Sequence, residues 1–152
     1  MIKIVQGNLL NAEEKYTIQS VNCQGVMGSG VAKQIRNKWN KVYENYKTIC
    51  DNIKTQGSAT SELLGYTQFV IVDVDKTVIN LFGQDRYGLD KRHTNYIALI
   101  EGMIDILNRV DGNIALPYKM GCDRGGADWN KFYSVLECLA EDFKYDIVIY
   151  KF

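Results

Sequence analysis

The chain has 152 residues, 46% of them apolar, which suits one domain around one core. Eighteen Lys and Arg balance 18 Asp and Glu, so no net field draws the chain to nucleic acid or to a membrane surface. No run approaches the ~20 apolar residues of a membrane span.

Residues 2–5 enter a strand directly, with no signal-peptide pattern ahead of them. Residues 17–21 read as a second strand. The segment Ser20–Lys33 follows, placing Gly25, Gly28 and Gly30 between that strand and an amphipathic helix. Their spacing is G-x-x-G-x-G, neither the dinucleotide fingerprint nor a Walker loop. The order nonetheless sets unshielded backbone N–H groups beside a helix N-terminus, which suits a phosphate or pyrophosphate. Apolar residues from Val31 to Ile49 recur at helical spacing and predict one helix to about residue 50.

The middle of the chain is strand-rich. Strands are expected at 61–66, 69–74 and 77–82, the last two joined by a tight turn at Asp75-Lys76. A helix is expected from Thr94, its N-cap, to Val110, with Gly112 as its stop signal. Residues 113–116 form a short strand, and 117–127 are a second glycine-rich segment. Asp128 caps a helix whose Trp129, Phe132, Leu136, Leu139 and Phe143 share one face. Residues 146–150 close the chain as a strand. One proline and no low-complexity tract leave no linker, so residues 1–152 read as one domain.

Cys23, Cys50, Cys122 and Cys138 lack C-x-x-C spacing, and the single His93 completes no familiar zinc set, so no metal or cofactor is expected. Four free thiols point to a reducing, cytoplasmic compartment. Alternation of strand and helix at both ends implies βαβ crossovers, while the central hairpin adds an antiparallel pair. The fold expected is a three-layer α/β/α sandwich with a mixed, largely parallel central sheet. In such sheets ligands bind outside the carboxyl ends of the strands, where both glycine-rich loops emerge. Each loop feeds a helix N-terminus, so two sets of N–H donors are expected to converge on one pyrophosphate. Asn22 can serve sugar hydroxyls or tie down its own turn. Phe82 or Tyr87 can cover a ribose or base, or pack at a loop edge.

Four motifs in order, Gly7-Asn-Leu-Leu10, Val21-Asn-Cys-Gln-Gly-Val-Met-Gly-Ser-Gly-Val-Ala32, Asn80-Leu-Phe-Gly-Gln84 and Leu116-Pro-Tyr-Lys-Met-Gly-Cys-Asp-Arg-Gly-Gly-Ala-Asp-Trp129, resemble a macrodomain. Within that superfamily the chain is most similar to the branch of ADP-ribose 1″-phosphate phosphatases. The resemblance implies a small-molecule nucleotide partner, ADP-ribose or its 1″-phosphate, and hydrolysis of the terminal phosphate. It implies that Gly7, Asn8 and Leu9 lie beside the adenine, Asn8 replacing the aspartate of many relatives. Ser20, Val21 and Asn22 would line the floor, and Met27, Gly28, Ser29, Gly30, Val31 and Ala32 would wrap the diphosphate and distal ribose. Pro117, Tyr118, Lys119, Met120, Gly121, Cys122 and Asp123, with Arg124, Gly125 and Gly126 beyond, would form the second phosphate loop.

Asp123-Arg124 stands where many relatives carry Gly-Leu. Arg124 can clamp a phosphate bidentately, and Asp123 can hold a water or pair with Arg124, the pairing being preferred. Asp90, His93 and Asp123 are the candidate acid–base residues, with loop-solvating or capping roles as their plainer readings. Cys23 and Cys122 read as small wall residues. A neighbouring branch that removes ADP-ribose from carboxylates or DNA bases uses a lysine just after the strand that here ends in Asn80-Leu-Phe-Gly-Gln-Asp85, together with an aspartate in the second loop, relative to which Asp123 is displaced toward the loop start. No lysine occurs there, the nearest being Lys91. Glycohydrolase action on modified macromolecules and non-catalytic binding of ADP-ribose are therefore the alternative functions.

Overall fold

The computed structural model describes residues 1–152. Six strands form one sheet in the order β1 (Ile2–Gln6), β6 (Ile147–Lys151), β5 (Ile114–Pro117), β2 (Tyr16–Asn22), β4 (Lys76–Gln84), β3 (Thr67–Asp73). Every neighbouring pair is parallel except β3 with β4. Helices α1 (Gly30–Lys38) and α2 (Asn40–Thr55) cover one face, and α3 (Tyr96–Arg109) and α4 (Trp129–Asp142) the other. The expected three-layer sandwich is what forms.

Strand β4 is buried almost end to end because helices lie on both of its faces. Its alternate side chains feed two cores. Ile79 and Leu81 pack with Leu99, Met103 and Ile106 of α3 and with Phe132 and Leu136 of α4. Val78 and Phe82 pack with Ile35 of α1 and with Val42 and Tyr46 of α2. Gly102 lets α3 close on the sheet, since a Cβ there would sit 2.6 Å from Leu81.

Three local expectations change. The helix expected from 31 to 50 is two helices broken at Trp39, whose backbone turns to φ −131° and ψ 80°. Apolar spacing reports which face is buried and is blind to a change of axis, and Trp39 packs into the same core as both helices. Residues 61–66 are not a strand but a 3₁₀ turn, Thr60–Leu63, followed by Gly65 at φ +84°. Gly65 N still donates to Phe82 O, and Phe82 N donates to Tyr66 O, so this stretch borrows strand bonds without strand geometry. Asn95, not Thr94, caps α3, its side chain accepting from Ala98 N at 3.0 Å. Thr94 is buried and turned toward the second glycine loop, where its Oγ1 donates to Gly121 O at 2.7 Å.

Candidate functional site

The cleft exists because two strands part. Strands β2 and β5 pair only at Tyr16 with Ile114 and Thr17 with Ala115, whereas β2 follows β4 along its whole length. Beyond Thr17 the sheet opens toward its carboxyl edge. There the chain leaving β2 turns one way, through α1 and α2 to β3 and β4, and the chain leaving β5 turns the other, through α4 to β6. Open sheets bind ligands at such switch points. The resulting cleft has a volume of about 510 Å³, within the range of roughly 300–1,000 Å³ for small-molecule sites.

Gln19, Ser20, Val21 and Asn22 line it from β2, and Val26 and residues 28–32 from the first glycine loop. Gln84, Tyr87, Gly88 and Leu89 line it from the strap after β4, and residues 117–125 from the second loop. Both glycine-rich segments therefore meet at one cavity.

The first loop divides into a tied half and an open half. Asn22 Oδ1 accepts from Gln24 N at 2.9 Å and from the Tyr46 hydroxyl at 2.7 Å, and Asn22 Nδ2 donates to Val26 O at 2.9 Å. Gln24 Nε2 reaches Thr60 Oγ1 and Asp85, and Lys54 Nζ donates to Gln24 O. Asn22 thus ties down its own turn, with one amide hydrogen left for a ligand. From Met27 through Ala32, by contrast, no backbone N–H finds an acceptor within the protein. Helix α1 carries no acidic residue in its first turn, and its N-cap Ser29 makes no side-chain capping bond. A row of free donors at the positive end of a helix is an anion cradle.

The second loop works differently from expectation. Asp128 closes the N-terminus of α4, its carboxylate accepting from Asn130 N and Lys131 N, so that helix end offers nothing to the cleft. The donors come instead from the turn itself, where the N–H groups of Lys119, Gly121, Asp123, Arg124 and Gly125 are free of internal acceptors. Lys119 sits at φ 61°, alone among non-glycine residues in the left-handed region. Two bonds around it fix that turn, Met120 N to Pro117 O at 3.0 Å and Cys122 N to Lys119 O at 2.8 Å.

Several expected site residues lie elsewhere. Phe82 is fully buried under α2, with its ring 5.6 Å from that of Tyr46, and cannot cover a ribose; Tyr87, 56% exposed, lines the cleft, as does Tyr118 of the second loop. Met27 is buried in the same core. Gly7, Asn8 and Leu9 do not line the cavity: Leu9 is buried, and Asn8 Oδ1 caps a short 3₁₀ turn by accepting from Leu10 N at 3.0 Å. Asp90 and His93 sit beyond the strap and bond each other, Oδ1 to Nε2 at 2.8 Å. That bond holds the Asp90 carboxyl below its ordinary value.

Asp123 lines the cleft, and neither it nor Arg124 makes an ion pair, so the preferred pairing of the two is absent. A residue with an unpaired carboxylate and one with an unpaired guanidinium therefore line the cavity side by side on one loop. The Cys122 thiol is pushed up to about 11, first by burial and then by Asp123 and Asp128, which removes it as a nucleophile at neutral pH. Gln84 ends β4, its Nε2 donating to Arg86 O at 2.8 Å.

Gln19, Val26 and Gln84 line the cleft without having been singled out by the sequence. Gln19 carried a signal, a polar residue inside an apolar strand. Its Nε2 donates to Asn80 Oδ1 at 2.8 Å, while Gln19 Oε1 and Ser20 Oγ are buried with no partner in the protein.

No family model matches the chain. It is 28% identical over 134 residues to a DNA ADP-ribosyl glycohydrolase of Mycobacterium tuberculosis, covering 85% of this chain and 36% of that protein. The chain thus spans about a third of the length of the curated relatives it matches. Among solved structures, the macrodomain of Mycobacterium tuberculosis DarG superposes with a TM-score of 0.80 at 26% identity, over 99% of this chain and 97% of that one. Thermosipho africanus DarTG in complex with ADP-ribose gives a TM-score of 0.77 at 15% identity, over 97% of this chain and 41% of that one.

Proposed function

The chain is a macrodomain by fold, and we propose that its cleft binds ADP-ribose and cleaves the bond joining that group to a macromolecule, with a modified DNA base as the leading acceptor. The observation that carries this reading is two sets of unbonded N–H groups, those of residues 28–32 and those of Lys119, Gly121, Asp123, Arg124 and Gly125, lining one cavity at the switch point of the sheet. A diphosphate fits such a cradle because its charge is spread over several oxygens and fixed donors stabilise it without reorganisation. Kinship with DNA ADP-ribosyl glycohydrolases favours cleavage at C1″ over cleavage of a phosphate ester.

Asp123 is the residue proposed to act on water. In cleavage at C1″ the bond to the acceptor breaks, positive charge develops on the distal ribose, and water adds to C1″. Its proton passes to the Asp123 carboxylate, and the departing base takes up a proton in turn. A neighbouring diphosphate and carboxylate both stabilise the developing cation. Asn22, with its spare amide hydrogen, would orient the distal ribose.

Phosphate-monoester hydrolysis is retained as the second reading because Arg124 is free of any carboxylate partner and fits a terminal phosphate. One experiment separates them. The protein is incubated with an ADP-ribosylated oligonucleotide and, separately, with ADP-ribose 1″-phosphate. Release of ADP-ribose from the oligonucleotide without phosphate release from the ester is the expected outcome. Phosphate release alone would reverse the order of the two readings, and neither product, with ADP-ribose still bound in calorimetry, would leave a binding module.

A further inference from the structure

The Tyr46 hydroxyl sits under the cleft and takes no part in the chemistry above. Tyr46 belongs to α2 and is fully buried in an otherwise apolar core. Its oxygen accepts from Gly25 N and Val26 N, both at 3.1 Å, and lies 2.7 Å from Asn22 O and from Asn22 Oδ1, which share its single proton. Burial also pushes this phenol well above its ordinary value, so it stays protonated and able to donate. A phenylalanine would fill the same volume, so the hydroxyl is retained for what it bonds.

We propose that Tyr46 is a positioning residue for diphosphate recognition, a role that rests on the ADP-ribose reading. Its hydroxyl draws the N–H groups of Gly25 and Val26 inward and holds the backbone and side-chain oxygens of Asn22 on the same side. The chain is then left with unbonded N–H groups only from Met27 onward, those of residues 28–32 at the cleft. Gly25, at φ +84°, is the hinge where the loop changes direction, and the hydroxyl holds that hinge from beneath. One buried atom thereby sets which donors of the loop belong to the protein and which remain for the ligand.

The test is Tyr46→Phe, which keeps the ring against Phe82. Hydrogen exchange is measured without ligand, and ADP-ribose affinity by calorimetry. The Gly25 and Val26 amides, which lose their acceptor, are expected to exchange several-fold faster while β5 and β6 keep wild-type rates. ADP-ribose affinity is expected to fall about tenfold, or ~1.4 kcal/mol. Unchanged exchange at Gly25 and Val26, acceleration spread evenly through the sheet, or ADP-ribose affinity within twofold of wild type would overturn the proposal and leave Tyr46 as ordinary core. Failure of the wild-type protein to bind ADP-ribose would sink the functional reading, while the exchange comparison would still decide the role of Tyr46.

Discussion

Gly125→Ala tests whether the second loop is held by contact with Thr94, in the segment ahead of α3, and with the end of β4. A Cβ at Gly125 would lie 2.0 Å from Thr94 Oγ1, 2.5 Å from Gly121 O and 2.9 Å from Gln84 Oε1. Thr94 Oγ1 and Gly121 O are themselves hydrogen-bonded at 2.7 Å, so the new methyl must enter the space of an existing bond. Gly125 O also accepts from His93 N and Thr94 N at 2.9 and 3.0 Å, which stops the loop from simply backing away. Overpacking costs ~1–3 kcal/mol, and a broken bond that strands the buried Thr94 hydroxyl adds ~1–3 kcal/mol, Gly121 O keeping its bond from Ala127 N. A total near 3 kcal/mol in a domain of this size lowers the melting temperature by roughly 6–12 °C. Calorimetry or circular dichroism at fixed protein concentration measures it. A melting temperature within 2 °C of wild type would show that the loop moves freely away from Thr94 and Gln84, and would refute the rigid-cradle argument.

Asp123→Asn should lower turnover of the preferred substrate by about 100-fold or more, as loss of a general base does; ADP-ribose affinity should stay within a factor of two, measured by calorimetry beside the rate assay. Wild-type turnover would remove Asp123 from the chemistry. Iodoacetamide at pH 8 should label the exposed Cys138 and spare Cys23 and Cys50, whose thiols burial lifts to about 12 and about 11; Cys122, near 11, should react faster with each rise in pH and show no plateau below that value in mass spectra. The Asp90 carboxyl should titrate below 3.8 by NMR and move back toward that value in His93→Ala. Because the folded value is the depressed one, whatever stability the pair adds is present above the ordinary carboxylate value and is lost as pH falls through the folded one. Asp90→Ala should leave substrate turnover at the wild-type level, since the pair lies outside the cleft.

The layered fold and the meeting of two loops were legible in the sequence, because apolar periodicity and strand–helix alternation are local signals that dictate which faces are buried and how strands connect. Glycine spacing marked the turns for the same reason: a backbone that must show its N–H groups leaves little room for side chains. Direction and partnership were decided by tertiary structure. Phe82 and Ser20 lie on neighbouring strands close to the cleft, and only the pleat decides that Phe82 faces α2 while Ser20 lines the cavity. Asp128 reads in sequence as a helix cap, yet that cap removes one helix end from the cleft only because its carboxylate bends back onto Asn130 and Lys131. Trp39 interrupts a helix whose apolar spacing runs on unbroken. Tyr46, one core residue among many along α2, becomes the anchor of a loop more than twenty positions away because folding brings its oxygen beneath Gly25. Hydrogen-bond partners distant in sequence leave no period to read, and packing alone selects them.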